Sequence, residues 1–160
     1  READADGTPD HVVRLACEMD DLDPEIAAHV AERLQEAGAL DVVREPVTMK
    51  KGRLGVRLAV LCRPADEEPL LDLLFEESST FGVRRREVER HVLEREHRTV
   101  ETEYGPIDCK LGYRKGRLVQ VAPEYESCRA ASDRHEVPLR TVYRAALRAH
   151  ETSSSASSST

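Results

Sequence analysis

The stretch Glu18–Glu25, EMDDLDPE, places five carboxylates within eight residues, directly after an apolar run. Charges of one sign this close repel each other, so a metal ion, basic side chains or a helix N-terminus must offset them. Asp23 is a suitable N-cap for a helix that begins at the next residue, and nearby acids could simply stabilise that helix end. Because one cap does not account for the others, Glu18, Asp20 and Asp21 are candidate ligands for Mg²⁺ or Mn²⁺.

Two further segments carry groups that suit phosphate. MKKGR contributes the cationic side chains of Lys50, Lys51 and Arg53, which pair with phosphate oxygens. ESSTFGVRR contributes hydroxyl groups, the backbone N–H groups of a glycine turn and an arginine. The candidates in this second segment are Ser79, Thr80, Gly82 and Arg84. Taken alone, each segment could equally be an ordinary solvated turn.

Hydrophobic periodicity predicts the elements that position these segments. The order is βαββαβ, which is the ferredoxin-like pattern of an α+β protein. The predicted bounds are His11–Cys17, Pro24 to about Ala37, Asp41–Met49, Gly55–Cys62, Ala65–Glu77 and Gly82–Leu93, with the last strand able to continue toward Arg98. Pro46 favours a sheet edge for the second strand, where this topology also places it. The first helix is expected to bury Ile26, Val30, Leu34 and Ala37 and to end at Gly38.

This topology brings the three polar segments together. The loop after the first strand, the hairpin between strands two and three and the loop before strand four all fall at one end of the sheet. Carboxylates for a cation, lysine and arginine for phosphates, and hydroxyl donors then form a candidate site for a metal-bound nucleoside triphosphate. Asp20, Asp21 and Lys51 are the candidate catalytic residues, because they would contact the metal and the reacting phosphates.

The remainder of the chain predicts a smaller α+β appendage. Short strands are expected at Thr99–Tyr104, Ile107–Tyr113 and Leu118–Val121, followed by helices at Glu124–His135 and Leu139–His150. The predicted organisation is a flexible segment at residues 1–10, a ferredoxin-like metal–nucleotide domain at 11–98, the appendage at 99–150 and a disordered serine-rich tail at 151–160.

Composition excludes several classes of protein. The 160 residues carry a net charge of −7, which argues against general binding of DNA or RNA. No apolar stretch approaches the ~18 residues of a membrane-spanning helix, and no membrane partner is expected. The four cysteines form no CxxC pair and are too widely spaced for a zinc site, so they predict reduced thiols in a cytoplasmic protein.

Four blocks of the sequence resemble the C-terminal half of the LarC family of nickel insertion proteins. They are EMDDLDPE with the downstream EAGALDV, then MKKGRLG, EESSTFGVRR and APEYESC, in the order that the family has them. Asp20 and Asp21 align without a gap, whereas Glu18 falls where the family has Asn. Leu54 replaces a proline of the family's basic block.

The resemblance implies a CTP-dependent nickel cyclometallase. The family installs nickel, as the substrate metal, in pyridinium-3,5-bisthiocarboxylic acid mononucleotide to make the nickel-pincer cofactor of lactate racemase. It implies CTP with Mg²⁺ or Mn²⁺ at the acidic and basic blocks, with the N-terminal half of the same protein as a partner. A homo-oligomer is also expected.

A second interpretation remains open. Because the ferredoxin-like fold serves many functions, the chain could be a non-catalytic module that binds a ligand or assembles subunits. An exposed second strand could then pair with another chain. A cyclometallase needs the acidic and basic segments together, whereas an assembly module would tolerate the loss of Asp20 or Lys51.

Overall fold

The computed structural model describes the backbone of residues 10–156 and the side chains of residues 10–152. Within that range the chain forms two compact units, residues 10–91 and residues 92–156, each with its own buried cluster. The first unit contains all three polar segments. Among the described residues, no helix is long and apolar enough to cross a bilayer.

The first unit has the predicted βαββαβ order. Its elements are β1 (Asp10–Met19), α1 (Pro24–Glu36), β2 (Asp41–Thr48), β3 (Leu54–Cys62), α2 (Glu67–Glu77) and β4 (Arg84–Arg90), with a tight turn at Lys50–Gly52 and a 3₁₀ turn at Pro64–Asp66. The strands form an antiparallel sheet in the order β2-β3-β1-β4, which confirms the ferredoxin-like topology. Pro46 lies on β2 at the edge of the sheet, as its missing N–H requires.

The core of this unit lies between one face of the sheet and the two helices. Alternation in β1 and β3 turns one set of side chains toward the helices, and i/i+4 spacing in the helices supplies the facing set. The fully buried members include Val13, Leu15, Cys17, Leu58, Val60, Leu34, Leu70 and Leu74. The buried stripe of α1 is Ala27, Val30, Ala31 and Leu34. Ile26 and Ala37, predicted to be buried, are exposed: Ala27 and Ala31 take the buried positions beside Val30 and Leu34, and Ala37 lies past the last residue of the helix.

The prediction for the fourth strand was wrong at its end. β4 stops at Arg90, which pairs with Asp10, the first residue of β1, so among residues 10–156 β1 offers no further residue for a continuation of β4 to pair with. The chain instead starts β5 at Glu94 in a separate sheet. The division between the units therefore falls after His91 and not at Arg98. Asp10, assigned to a flexible segment, belongs to β1 and pairs with Arg90.

The second unit packs a three-stranded sheet against two helices. Its elements are β5 (Glu94–Thr102), β6 (Gly105–Arg114), β7 (Arg117–Pro123), α3 (Tyr125–His135) and α4 (Leu139–Ala156), with the strands in the order β5-β6-β7. Ile107, Cys109, Cys128, Val142 and Ala146 are fully buried within it.

The tail prediction was also wrong in part. Residues 151–156 continue α4, because extending a formed helix fixes fewer dihedral angles per hydrogen bond than starting one. The rest of the predicted tail, residues 157–160, and residues 1–9 of the predicted N-terminal segment lie outside the described residues.

Candidate functional site

The acidic segment begins inside β1, so the fold separates its carboxylates. Glu18 stands on the sheet face opposite the buried Cys17 and is directly paired with Arg57 of β3. Its carboxylate accepts a hydrogen bond from Arg57 Nε at 2.7 Å and a second from Arg84 Nη1. The hydrogen bond from Arg84, followed by that from Arg57, lowers the pKa of Glu18 below its ordinary value. Glu18 is therefore held as the anionic partner of two arginines, and the metal role predicted for it stays a prediction.

Asp20 and Asp21 follow the end of β1 and face the other two segments. Arg53 Nη1 donates to Asp20 Oδ2 at 3.1 Å, and Ser79 Oγ donates to Asp21 Oδ1 at 2.5 Å. The first contact joins residues that are 33 positions apart in the sequence, and the second joins residues that are 58 positions apart. The acidic, basic and hydroxyl segments thus meet at one end of the sheet, as the topology predicted.

Asp23 has the separate role expected of it. Its carboxylate accepts a hydrogen bond from the backbone N–H of Glu25 at 2.8 Å and so caps α1. Pro24 occupies the first helical position, where a missing N–H has no cost. At the other end of the helix, Gly38 adopts a positive φ of 102° and ends it, as predicted.

The basic segment is a tight turn between β2 and β3. Lys51 and Gly52 have consecutive positive φ values of 60° and 70°, the pattern of a type I′ hairpin turn. The Met49 N–H donates to the Arg53 carbonyl at 2.7 Å and closes the turn. Lys50 and Lys51 are exposed, and neither forms an ion pair with any described residue. Their charges are therefore available to an anion.

Gly55 explains how the hairpin reaches the acidic segment. A Cβ atom at this position would lie 2.4 Å from the Met19 carbonyl oxygen and 2.8 Å from the Met49 sulfur. Only glycine permits β3 to begin this close to the end of β1. This close approach places Arg53 within hydrogen-bonding distance of Asp20.

The hydroxyl segment between α2 and β4 is held by its own hydrogen bonds. Thr80 Oγ1 donates to the Gly82 carbonyl at 2.9 Å, and the Gly82 N–H lies 3.3 Å from the same Oγ1. Ser78 Oγ lies 3.3 Å from the Thr80 N–H. The predicted phosphate donors of this turn are thus engaged locally, and Arg84 is engaged by Glu18. Arg53 of the hairpin is likewise paired, with Asp20, so Lys50 and Lys51 are the cations of the three segments that form no ion pair with a described residue.

Sequence reasoning missed Arg57. This residue lies on β3 between Glu18 of β1 and Glu45 of β2, and its guanidinium contacts both carboxylates, at 2.7 and 3.0 Å. The signal was present in the alternation of β3, where Arg57 interrupts a series of apolar residues on the face turned away from the helices. Its partners depend on the strand register, which the sequence does not show.

No group of three or more His, Cys, Asp or Glu side chains within residues 10–152 is arranged to hold a metal ion. Asp20 and Asp21 still fit Mg²⁺ or Mn²⁺, because such ions are commonly held by one or two carboxylates together with water and substrate phosphates. The cysteines do not extend the site. All four are buried, and burial raises the pKa of each thiol, that of Cys128 to about 11.

Comparison with known protein families shows which family this sequence matches. A sequence model described as "Nickel insertion protein" matches residues 2–143. The chain belongs to the nickel insertion protein family. Residues 10–156 of this member form two antiparallel sheets and four helices.

Curated relatives in the family carry a more specific name. Proteins named pyridinium-3,5-bisthiocarboxylic acid mononucleotide nickel insertion protein from Clostridium kluyveri and Clostridium acetobutylicum are 43% and 45% identical to the chain. The matches cover 84% and 82% of this chain but only 34% and 31% of those proteins. The chain thus spans about a third of the length of the curated relatives it matches.

A solved structure matches over nearly its whole length. It is the apo form of the C-terminal domain of a cyclometallase involved in the synthesis of the NPN cofactor of lactate racemase. It is 35% identical, with a TM-score of 0.86, and the match covers 90% of this chain and 99% of that one. This nickel insertion family member therefore has the architecture of that C-terminal domain.

Proposed function

We propose that the chain is the CTP- and divalent-metal-binding part of a nickel insertion protein, a CTP-dependent cyclometallase. The complete protein would install nickel, the substrate metal, in pyridinium-3,5-bisthiocarboxylic acid mononucleotide. The names of the curated relatives and of the solved C-terminal domain support this assignment. The four cysteines form no disulfide with one another, and thiols are kept reduced in the cytoplasm, so we place the reaction there.

The observation that carries the proposal is the meeting of the three segments. Asp20 is 3.1 Å from Arg53 of the hairpin, and Asp21 is 2.5 Å from Ser79 of the loop before β4. Two carboxylates, two exposed lysines and an arginine thereby share one end of the sheet. That combination suits a triphosphate whose negative charge is shared with a divalent cation.

The roles of the residues follow from their charges and partners. Asp20 and Asp21 would hold Mg²⁺ or Mn²⁺, and the bound cation would neutralise charge on the phosphate oxygens and so make the phosphorus atom easier to attack. Lys50, Lys51 and Arg53 would bind the phosphates, with Lys51 neutralising charge that develops during the reaction. Arg53 would exchange its contact with Asp20 for phosphate oxygens. Ser79 orients Asp21 through its hydroxyl group.

The remaining two thirds of the related proteins have no counterpart in this chain. We assign the pyridinium mononucleotide and nickel chiefly to that N-terminal part, and CTP to the chain described here. The expected homo-oligomer is part of the same proposal.

The decisive experiment is calorimetric titration with CTP in the presence and absence of Mn²⁺. The wild-type chain should bind CTP more tightly with the metal. Asp20→Asn should remove most of the metal dependence, and Lys51→Ala should weaken binding about tenfold, roughly the effect of one lost charge-assisted contact. Glu32→Gln on α1 changes an exposed carboxylate outside the site and should behave as wild type.

If the chain is instead a non-catalytic module that assembles subunits, the CTP titrations should give the opposite result. A chain that binds no nucleotide, and keeps its oligomeric state in Asp20→Asn and Lys51→Ala, would support assembly over catalysis. Sedimentation of the same three samples provides that comparison.

A further inference from the structure

The guanidinium of Arg84 is exposed and paired at the same time. Its side chain is 69% exposed at the start of β4, yet it donates to Glu18 of β1, whose side chain is only 12% exposed. Exposed ion pairs contribute little to stability, so Arg84 can leave this partner at small cost. A triphosphate offers the planar guanidinium several charged acceptors and two-pronged hydrogen bonding. Arg84 is therefore placed to exchange one anion for another.

Glu18 lies close to the carboxylate that we assign to the cation. Glu18 and Asp20 are two residues apart at the end of β1, and two residues of extended backbone span about 7 Å. A phosphate group bound beside Asp20 therefore meets a second negative charge at Glu18, which repels it. The same phosphate competes with Glu18 for the guanidinium of Arg84.

Arg57 gives Glu18 a second cationic partner. It stands directly opposite Glu18 on β3 and donates to it through Nε at 2.7 Å. On its other side, Arg57 Nη1 donates to Glu45 of β2 at 3.0 Å. Because strand pairing fixes Arg57 opposite Glu18, this contact does not depend on Arg84. Glu18 thus keeps a cation when Arg84 leaves, which avoids the cost of a partly buried carboxylate with no partner.

We propose that Glu18 and Arg57 control the release of Arg84 to the phosphates of the bound nucleotide. In the structure Glu18 binds Arg84; when a triphosphate binds, Arg84 moves to the phosphate oxygens and Arg57 remains with Glu18. Both are positioning residues, because they act through Arg84 and do not contact the phosphates. The inference rests on the proposed triphosphate site and adds a device that regulates its affinity.

The test measures binding of inorganic tripolyphosphate with Mn²⁺ by calorimetry, using the 160-residue chain. This probe has neither sugar nor base, so it reports on the phosphate contacts. Glu18→Gln removes the competing charge and should tighten binding ~10-fold, roughly the effect of one charge-assisted contact. Arg57→Gln makes Glu18 depend on Arg84 and should weaken binding by a similar factor. Arg57→Lys keeps the charge opposite Glu18 and should lose less affinity than Arg57→Gln.

Two double variants separate a positioning role from direct contact. Once Glu18→Gln is present, Arg57→Gln should have no further effect, because no carboxylate remains to be held. In an Arg84→Gln background, Glu18→Gln should lose most of its gain. Glu87→Gln is the control, since it removes another carboxylate of this unit that pairs with an arginine, Arg85, at 3.0 Å. It should match wild type, and chemical denaturation checks that every variant is folded.

The outcomes separate this inference from the proposed function. If wild type binds tripolyphosphate and Glu18→Gln binds it no more tightly, the exchange is wrong while the phosphate site stands. An equal loss for Arg57→Gln with and without Glu18 would mean that Arg57 contacts phosphate directly, which overturns its positioning role. If Arg57→Gln does not fold, the comparison of Glu18→Gln with and without Arg84 decides alone. A wild-type chain that binds neither CTP nor tripolyphosphate overturns both proposals.

Discussion

Neighbouring carboxylates in EMDDLDPE have different partners. Glu18 is paired with arginines from β3 and β4, Asp20 with Arg53, and Asp21 with the Ser79 hydroxyl. Asp23 caps α1. The repulsion within this segment is therefore offset from several directions, by groups that come from four other parts of the first unit. Asp20 and Asp21 follow the end of β1 and are the two carboxylates that we propose would hold a cation.

Glu18 should contribute a pH-dependent part of the stability. Its pKa in the folded state lies below the ordinary value of 4.5, so its contribution is present above that pH. As the pH falls through the folded-state pKa, protonation removes the charge that the arginines stabilise. We expect the wild-type free energy of unfolding to fall more steeply than that of Glu18→Gln between about pH 6 and pH 3. Urea titrations across this range would measure it.

Glu32→Gln provides the control for that series, because Glu32 is exposed and forms no ion pair with a described residue. Its stability should follow the wild-type curve. If the free energies of unfolding of wild type and Glu18→Gln change with pH in parallel, the Arg57 and Arg84 contacts contribute no net stability.

At the scale of elements, the site depends on how closely β1 and β3 approach each other. Register alone places Met19 opposite Val56, and the missing side chain of Gly55 allows the Met19 carbonyl to lie against the backbone of β3. The turn at Lys51 and Gly52 then directs Arg53 back toward Asp20. The geometry of the site is thus a consequence of strand pairing at one end of the sheet.

Gly55→Ala should destabilise the first unit by about 1–3 kcal/mol, the usual cost of forcing an atom into a packed position. The added Cβ would lie 2.4 Å from a backbone oxygen, which cannot move without disturbing the β1–β3 ladder. Chemical denaturation would measure the loss of stability, and the CTP binding that we propose for this end of the sheet should weaken with it.

Gly82→Ala is the matched control for stability. Its Cβ would meet no atom within 4 Å, and its φ is not positive. We expect a change within about 0.5 kcal/mol. If Gly55→Ala and Gly82→Ala lose the same free energy of unfolding, close packing against Met19 is not the reason that position 55 requires glycine.

At the scale of the whole molecule, the chain contains two separate buried clusters. The cluster of residues 10–91 is built from β1, β3 and both helices of that unit, and the cluster of residues 92–156 from β5, β6, α3 and α4. Aliphatic residues and cysteines make up both, in keeping with the absence of Trp from the sequence.

Two core substitutions test whether these clusters stabilise their units separately. Leu58→Ala and Ile107→Ala each truncate a fully buried side chain on a central strand, at an expected cost of about 2–5 kcal/mol. In hydrogen exchange, the backbone amides of residues 10–91 should lose protection in Leu58→Ala, and those of residues 92–156 should lose it in Ile107→Ala. Loss of protection throughout the chain in both variants would indicate one cooperative unit.

Much of the first unit could be predicted from its sequence. The alternation of β1 and β3, the cap at Asp23, the stop at Gly38 and the edge position of Pro46 are local signals, and each is confirmed. The meeting of three polar segments followed from element order alone, because antiparallel connections fix which loops share an end. The roles proposed for Lys51 and its neighbours remain predictions.

The sequence by itself determined the order of elements, the family resemblance and the composition of the candidate site, since these depend on residue types and local spacing. Tertiary structure alone decided that β4 ends at Arg90, because pairing stops where β1 begins. It also decided that Glu18 binds arginines from two other strands. Such partnerships depend on strand register and on the approach of distant backbones, which no pattern of residues within one segment encodes.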